Sequence, residues 1–322
     1  MRVTFLGCAH IHMKDAVEAV LSHPEPVAVT VWDHQPERAA YWADRLGARL
    51  QLEPTVGDSD AVIVMSETAL HRTLAEKALS AGRPLFIEKP LAASYRDAQY
   101  IAELVAQSGV LFHTGYFLRE IDSLQRLRSL VLDHELGQVV RARALLAHGG
   151  VPAGWFSEYS WMLRKEDAGY GGFGDLGIHL VDLLTWILDA RVSAVSACLR
   201  TVTSGLEVED SGEALLRLQD GTLATIGAGL SERGLLFELL ITGTEGYAVI
   251  RDHHLIVEAA SQTTKWPMEA PSARRAVQRF LATLGGGSRE MLVPVEEAAR
   301  HSAVVDACYQ SAQLGTWIDI SP

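Results

Sequence analysis

Short apolar strands alternate with amphipathic helices over the first third of the chain, and no other feature constrains the fold as strongly. Residues 2–6 are predicted to form a buried strand, residues 13–22 a helix, and residues 27–33 a second strand. Further strands and helices alternate in the same way until a last strand ends at His113. This alternation predicts an α/β domain in which helices cover both faces of a parallel sheet.

Polar or flexible residues follow several of these predicted strands. Gly7 follows the first strand, Asp33 ends the second, Ser66 follows a third, and a Glu-Lys-Pro run at 88–90 follows a fourth. In parallel sheets of this kind, ligands bind beyond the carboxyl ends of the strands. The sequence therefore predicts that these residues surround a ligand site.

The first turn partly fits the glycine pattern Gly-x-Gly-x-x-Gly of dinucleotide-binding folds, with Gly7, Ala9 and His12 in the three glycine places. Ala9 still permits close approach of a pyrophosphate to the backbone, whereas His12 is bulkier than the pattern requires. The pattern indicates cofactor binding. The alternative is an ordinary strand–helix turn whose histidines are surface or packing residues.

Asp33 stands 26 residues after Gly7, at the end of the second strand. An acid at this point binds the hydroxyls of the adenosine ribose and repels a ribose phosphate. The sequence therefore predicts NAD in preference to NADP. The basic side chains of His34 and Arg38 moderate that preference, so NADP is kept as the second cofactor.

Lys89 lies at the end of an apolar strand and precedes Pro90, which disfavours a helical conformation at the lysine. A lysine held against apolar walls loses solvation of its charged form and can exchange a proton near neutral pH. This position indicates a catalytic role. The alternative is a surface lysine paired with Glu88.

The stretch Gly174–Asp182 combines two acids and an imidazole with core residues. A helix beginning near Leu176 would place Asp175 at its N-cap and put Asp175, His179 and Asp182 on one face. Three interpretations follow, namely a capped core helix, a catalytic acid–imidazole pair and a metal site. No further His or Cys pair supports the metal, so no metal is predicted.

A predicted loop over residues 148–166 is rich in aromatic side chains and contains an arginine. Aromatic faces beside an arginine suit a sugar ring, whose C–H face stacks while its hydroxyls accept and donate hydrogen bonds. The alternative is a loop packed over the second domain. The side chains concerned are Trp155, Phe156, Tyr159, Trp161 and Arg164.

Composition excludes several classes of protein. The 322 residues carry 28 basic and 40 acidic side chains, giving a net charge of −12, which argues against a nucleic-acid or anionic-membrane surface. No apolar run has the length of a membrane span. Three widely spaced cysteines form no disulfide framework, so a reduced, cytoplasmic location is expected.

Taken jointly, these motifs resemble the Gfo/Idh/MocA family, named for glucose–fructose oxidoreductase and inositol dehydrogenase. The resemblance extends over nearly the whole chain, and its most specific part is the run into Glu88-Lys89-Pro90. The segments that carry it are the turn at 7–12, residues 66–71, 78–82, 88–92, 115–119, 135–139, 171–172, 174–182 and 243–246.

The resemblance implies an α/β Rossmann domain with a parallel sheet at 1–119, which binds NAD(P). It also implies an α+β domain at 120–322 with a large open, mainly antiparallel sheet, for substrate binding and oligomerisation. One face of such a sheet is free to pair with another subunit, so a homo-oligomer, either a dimer or a tetramer, is expected.

The resemblance also implies roles for individual residues. Lys89 and His179 match the family's catalytic lysine and histidine, and Asp175 matches the acid one turn earlier. The expected cofactor contacts are Gly7, Ala9, His10, Ile11, Asp33, Ser66, His71, Glu88 and Lys89. The expected substrate contacts are Lys89, Tyr116, Trp155, Trp161, Arg164, Asp175 and His179. The chain departs from the family pattern at Ala9 and His12 in the turn and at Tyr170 before Asp175.

Three functions remain open from the sequence. The first is an NAD(P)-dependent dehydrogenase or reductase of a sugar, polyol or related cyclic alcohol, in which the cofactor supplies the hydride chemistry. The second is a lyase, glycosidase or epimerase that retains NAD and oxidises its sugar transiently. The third is a non-catalytic nucleotide-binding regulator, and the presence of both Lys89 and His179 counts against it.

Overall fold

The protein is described by a computed structural model that covers residues 1–259 and 262–320, and it divides into two compact units. The first unit takes in two segments that lie well beyond residue 119, so a single boundary after that residue does not describe the division. The assignment of separate functions to 1–119 and 120–322 stays a prediction. The first unit comprises residues 1–117, 159–169 and 272–302, and the second comprises residues 118–158, 170–271 and those from 303 onward.

The helices, in chain order, are α1 (Met13–Leu21), α2 (Pro36–Leu46), α3 (His71–Ser80), α4 (Tyr95–Ser108), α5 (Asp122–Leu132), α6 (Lys165–Ala168), α7 (Gly172–Leu188), α8 (Arg274–Leu284) and α9 (Val295–Leu314). The strands, in chain order, are β1 (Arg2–Leu6), β2 (Ala28–Trp32), β3 (Arg49–Leu50), β4 (Ala61–Val64), β5 (Leu85–Ile87), β6 (Phe112–Thr114), β7 (Val139–His148), β8 (Val192–Arg200), β9 (Ser211–Leu218), β10 (Leu223–Gly229), β11 (Leu235–Gly243), β12 (Gly246–Arg251), β13 (His254–Ala259), β14 (Gln262–Pro267) and β15 (Ile318–Asp319).

The first unit contains the predicted parallel sheet. Its six strands run in the order β3-β2-β1-β4-β5-β6, and every pair is parallel. The central strands β4 and β5 are buried along their whole length, as expected of apolar strands that helices cover on both faces. Strand order reverses between β1 and β4, which is where folds of this type place their ligand.

Helix α8 belongs to this unit because its apolar face completes the unit's core. Phe280 and Leu281 are fully buried in the cluster that contains Phe5 and Phe86 of the sheet. The rings of Phe86 and Phe280 lie 5.8 Å apart. The segment from residue 272 therefore packs with strands that precede it by about 190 residues or more, a pairing that no local sequence pattern indicates.

The second unit contains a nine-stranded sheet in the order β14-β13-β12-β11-β7-β10-β9-β8-β15. The β7–β10 pair is parallel and the other pairs are antiparallel, which confirms the predicted open, mainly antiparallel sheet. Buried and exposed residues alternate along β9, so one face of that strand is covered and the other is open.

Helix α7 is the most apolar helix of the second unit. The segment Lys165–Leu188, which includes α7, is long and apolar enough to cross a membrane by length and composition alone. Most of that segment is buried inside the protein, which is typical of a core helix.

Candidate functional site

The turn after β1 is held closely between its neighbours. Gly7 has a φ of 81°, and a Cβ atom there would lie 2.3 Å from the Ser66 Cβ atom, so only glycine fits. The Gly7 N–H donates to the Trp32 carbonyl at 2.8 Å, and the His10 N–H donates to the Met65 carbonyl at 2.9 Å. The predicted strand-end residues Gly7 and Ser66 therefore meet at the switch point of the sheet.

Asp33 is buried at the same edge, and its carboxylate is fully engaged. It accepts hydrogen bonds from the N–H groups of Cys8 at 2.6 Å and Gln35 at 2.7 Å, and two from the Arg38 guanidinium. Arg38 also donates to Glu67 at 2.7 Å. Two carboxylates thus surround one guanidinium, which leaves an excess of negative charge. This charge disfavours an additional phosphate at this position.

Lys89 is 2% exposed at the end of β5, directly after Glu88. The Lys89 N–H donates to Glu88 Oε2 at 2.9 Å, and Glu88 Oε1 lies 3.2 Å from Nδ1 of His12. The structure therefore brings together three residues that the sequence indicated separately. His12, which departs from the glycine pattern, is a partner of the Glu-Lys-Pro run.

His71 connects the Ser66 turn with the segment after Lys89. Its Nδ1 atom lies 3.1 Å from the Pro90 carbonyl oxygen, and its Nε2 atom lies 3.3 Å from the Ser66 carbonyl oxygen. Burial lowers the pKa of His71, while its hydrogen bonds to these carbonyl groups act in the opposite direction. These contacts indicate that His71 supports the loops of the predicted cofactor site.

The predicted substrate residues are distributed over both units. Trp161 belongs to the first unit, where its indole N–H donates to the Ala9 carbonyl at 3.0 Å and its ring lies 6.1 Å from that of His10. Arg164, in the same unit, pairs with Asp167. Trp161 thus packs on the dinucleotide turn itself, a contact that the expectation of a sugar-stacking loop missed.

The other two predicted aromatic contacts have different surroundings. Tyr116 is buried in the first unit, and its ring lies 5.3 Å from that of His301. Trp155 is 49% exposed in the second unit, with its ring 4.9 Å from that of His148. Trp155 therefore has free aromatic surface for a ligand, whereas Tyr116 is a core side chain.

Helix α7 begins earlier than the sequence suggested, and Asp175 is not its N-cap. The helix begins at Gly172, and the Asp175 N–H already donates to the Gly171 carbonyl within the helix. The prediction of a start near Leu176 was wrong because the N-terminal N–H groups find their acceptors in a distant segment. Asp175 lies in the first helical turn instead.

Glu209 supplies these acceptors. Its carbonyl oxygen accepts from the Gly172 N–H at 2.7 Å, and its Oε1 atom accepts from the N–H groups of Phe173 at 3.1 Å and Gly174 at 3.4 Å. The Tyr309 hydroxyl donates to the same oxygen at 2.5 Å. A carboxylate at a helix N-terminus is stabilised by both the free N–H groups and the helix dipole.

The glycine run at 171–174 provided a signal for this contact. A Cβ atom on Gly174 would lie 2.4 Å from the Tyr170 Cβ atom and 2.8 Å from the Tyr309 hydroxyl. Glycine is therefore needed because two tyrosines pack against the helix start. The run indicated a close approach, but nothing in the sequence identified the side chains that make it.

His179 and Asp182, which follow Asp175 along α7, have different surroundings. His179 is 1% exposed and lies four residues after Asp175, so the two share one face of the helix. Asp182 is fully buried and pairs with Arg119, whose Nη2 atom lies 2.6 Å from Oδ1. The Arg119 guanidinium also lies 5.6 Å from the Trp186 ring centre. Asp182 therefore has a structural role.

Family models match both parts of the chain. Residues 1–116 match a family described as an oxidoreductase family with an NAD-binding Rossmann fold. Residues 124–249 match the GFO/IDH/MocA C-terminal domain. The chain belongs to the Gfo/Idh/MocA family.

Relatives within the Gfo/Idh/MocA family include two named enzymes. The chain is 27% identical to 1,5-anhydro-D-fructose reductase of Ensifer adhaerens over 230 residues, covering 70% of this chain and 68% of the relative. It is 25% identical to scyllo-inositol 2-dehydrogenase (NAD(+)) of Bacillus subtilis (strain 168) over 273 residues, covering 81% and 77%.

Solved structures share the Gfo/Idh/MocA fold. A levoglucosan dehydrogenase in complex with NADH and levoglucosan superimposes with a TM-score of 0.85 at 20% sequence identity, covering 100% of both chains. This likeness confirms the fold, with its parallel-sheet domain and its mainly antiparallel sheet. The family description that matches residues 1–116 includes NAD binding.

The buried carboxyl group of Glu209 should make the stability of this protein depend on pH. Burial raises the pKa of Glu209 above its ordinary value, although its hydrogen bonds act in the opposite direction. A carboxyl with a raised folded pKa contributes stability below the unfolded value, and that contribution is lost as pH rises through the folded value. The difference in the free energy of unfolding, wild type minus Glu209→Gln, should therefore decrease as the pH rises from about 5 to about 8.

Urea titrations of both proteins at the two pH values measure this difference. Glu207→Gln is the matched control, because Glu207 is an exposed glutamate two residues away. A difference between wild type and Glu209→Gln that stays constant or grows with pH would contradict the assignment.

Proposed function

We propose that this protein is an NAD(P)-dependent dehydrogenase or reductase that transfers hydride between the nicotinamide and a carbon of a sugar, polyol or related cyclic alcohol. The single observation that carries the proposal is the buried side chain of Lys89 at the end of β5, beside the dinucleotide turn, where the Lys89 backbone N–H donates to Glu88. The named relatives, a reductase of an anhydro-sugar and a dehydrogenase of an inositol, support the substrate class.

The first unit fits a dinucleotide. Gly7 lets the turn pass directly against Ser66, and the Asp33 and Glu67 carboxylates around Arg38 favour a ribose hydroxyl over a ribose phosphate. We therefore propose NAD as the preferred cofactor, with NADP as the weaker one. The residues proposed to hold it are Gly7, Ala9, His10, Ile11, Asp33, Ser66, His71, Glu88 and Lys89.

A bound NAD(P) would supply the hydride chemistry, and the side chains of this chain would position the substrate and move its hydroxyl proton. In our proposal His179 exchanges that proton and the Lys89 ammonium donates a hydrogen bond to the reacting oxygen. Asp175, one turn before His179, orients the imidazole. Trp155 and Arg164 contact the substrate ring, and Trp161 and Tyr116 support the loops around it.

The test is a screen of sugars and polyols with NAD and with NADP, in which the absorbance of the reduced nicotinamide is followed. We expect turnover with at least one cyclic polyol or sugar, and a higher kcat/KM with NAD than with NADP. Demonstrated NAD binding without net nicotinamide reduction by any of these substrates would contradict the proposal. Product formation without net reduction would instead support a lyase, glycosidase or epimerase that retains NAD.

We also propose a cytoplasmic homo-oligomer, a dimer or tetramer, that involves neither nucleic acid nor a membrane. Large apolar side chains are exposed on the strands of the second unit, among them Val140, Leu223 and Leu235, and such patches support association between copies. The three cysteines are free, which suits a reducing compartment. Gel filtration at the 35.1 kDa monomer mass would contradict the oligomer.

A further inference from the structure

Two imidazoles and a carboxylate meet in the first unit at the base of the dinucleotide turn. His10 and His12 come from the turn after β1, and Glu88 follows β5. One ligand atom from each residue lies within 4.8 Å of the other two. All three side chains are of types that bind transition-metal ions, and the set combines nitrogen and oxygen donors.

His10 is 1% exposed, so its imidazole is withdrawn from solvent at the base of the turn. His10 is also held by its neighbour in the turn. Its Nδ1 atom accepts a hydrogen bond from the His12 N–H at 3.2 Å, which fixes the orientation of the ring relative to His12.

The other two ligands already have the spacing of a shared ion. The His12 Nδ1 and Glu88 Oε1 atoms are 3.2 Å apart. Tetrahedral zinc, with bonds of about 2.0–2.2 Å, places neighbouring ligand atoms about 3.3 Å apart. The His10 ring is in edge-on contact with that of His12 at a centroid distance of 4.8 Å.

From this geometry we propose that the first unit binds one divalent transition-metal ion of the Zn²⁺ class through His10, His12 and Glu88. The ammonium of the adjacent Lys89 opposes any cation here, so ions held mainly by charge, such as Mg²⁺ and Ca²⁺, are excluded. Ions with strong bonds to imidazole overcome that repulsion. The metal site differs from the one considered for Asp175 and His179, and it accounts for His12 in the place of a glycine.

Titration of the metal-free protein with Co²⁺, without nucleotide, tests the proposal directly. We expect about one equivalent of Co²⁺ to bind with a visible absorption band, and Zn²⁺ to displace it. His12→Gln and Glu88→Gln should each weaken binding by at least about tenfold. The matched control is His23→Gln, a histidine of the same unit bonded to the Glu25 carbonyl oxygen, which should bind Co²⁺ as the wild type does.

Three outcomes would overturn the proposal. The first is that the wild type binds well below one equivalent of Co²⁺. The second is that the affinity for Co²⁺ is unchanged in both His12→Gln and Glu88→Gln. The third is that His34→Gln loses binding instead, which would move the ion to the Asp33–Glu67 cluster. Circular dichroism of each variant without metal verifies its folding, and the wild-type stoichiometry decides the question even if a variant unfolds. Because binding is measured directly, a failure here does not bear on the proposed dehydrogenase activity.

Discussion

Replacing Lys89 by methionine should lower kcat for the oxidation of the best polyol substrate by about 10²–10⁴-fold. Methionine matches the length and apolar stem of the buried lysine but removes the ammonium that hydrogen-bonds to the reacting oxygen. The dissociation constant for NADH should change far less than kcat, since most of the proposed cofactor contacts come from the turn and from Asp33. Steady-state kinetics and NADH fluorescence titration measure the two quantities.

The control for this variant is Lys77→Met, which removes an exposed lysine from helix α3 of the same unit. It should leave both kcat and NADH affinity unchanged. A Lys89→Met enzyme that retains more than about a tenth of the wild-type kcat would rule out a catalytic role for Lys89. Equal losses of kcat and NADH affinity would instead assign the lysine to cofactor binding alone.

The second large effect concerns stability rather than activity. Asp182→Asn should lower the free energy of unfolding by about 3–5 kcal/mol, because it removes one charge from a buried ion pair with Arg119. The change is nearly isosteric, so the loss reflects charge and hydrogen bonding rather than a cavity. Urea denaturation followed by circular dichroism gives the free energy.

A matched surface pair lies at the end of the same helix. Asp189 ends α7 with its side chain 71% exposed and lies 3.4 Å from Arg128. Asp189→Asn should cost less than about 1 kcal/mol, since exposed ion pairs contribute little and asparagine tolerates the left-handed backbone at this position. Similar losses in the two variants would argue against the structural role of Asp182.

Local pattern alone predicted the architecture of the first unit and the location of the ligand edge. The alternation of strands and helices requires a parallel sheet, and the strand-end residues Gly7, Asp33, Ser66 and Lys89 then collect at its carboxyl edge as a matter of topology. These features depend on periodicity and on the conformational limits of glycine and proline, which are properties of short segments. The open, mainly antiparallel sheet of the second unit was instead expected from the resemblance to the Gfo/Idh/MocA family.

The tertiary structure decided which side chains contact one another. The start of α7 depends on Glu209, which is 36 residues from Phe173 in sequence. The ion pair of Asp182 involves Arg119, 63 residues away, and the partner of His12 is Glu88, 76 residues away. Trp161 packs on Ala9 across 152 residues.

The physical reason for this division is the range of the interactions. Hydrogen-bonding capacity and hydrophobic periodicity are encoded residue by residue, so the sequence determined that a parallel sheet forms and that its strand ends carry polar groups. The acceptor for a buried N–H, or the counter-charge for a buried carboxylate, depends on which distant segments the folded chain brings within about 3 Å. Only the fold therefore decided that Asp182 is structural, that Glu209 caps α7, and that His10, His12 and Glu88 form one cluster.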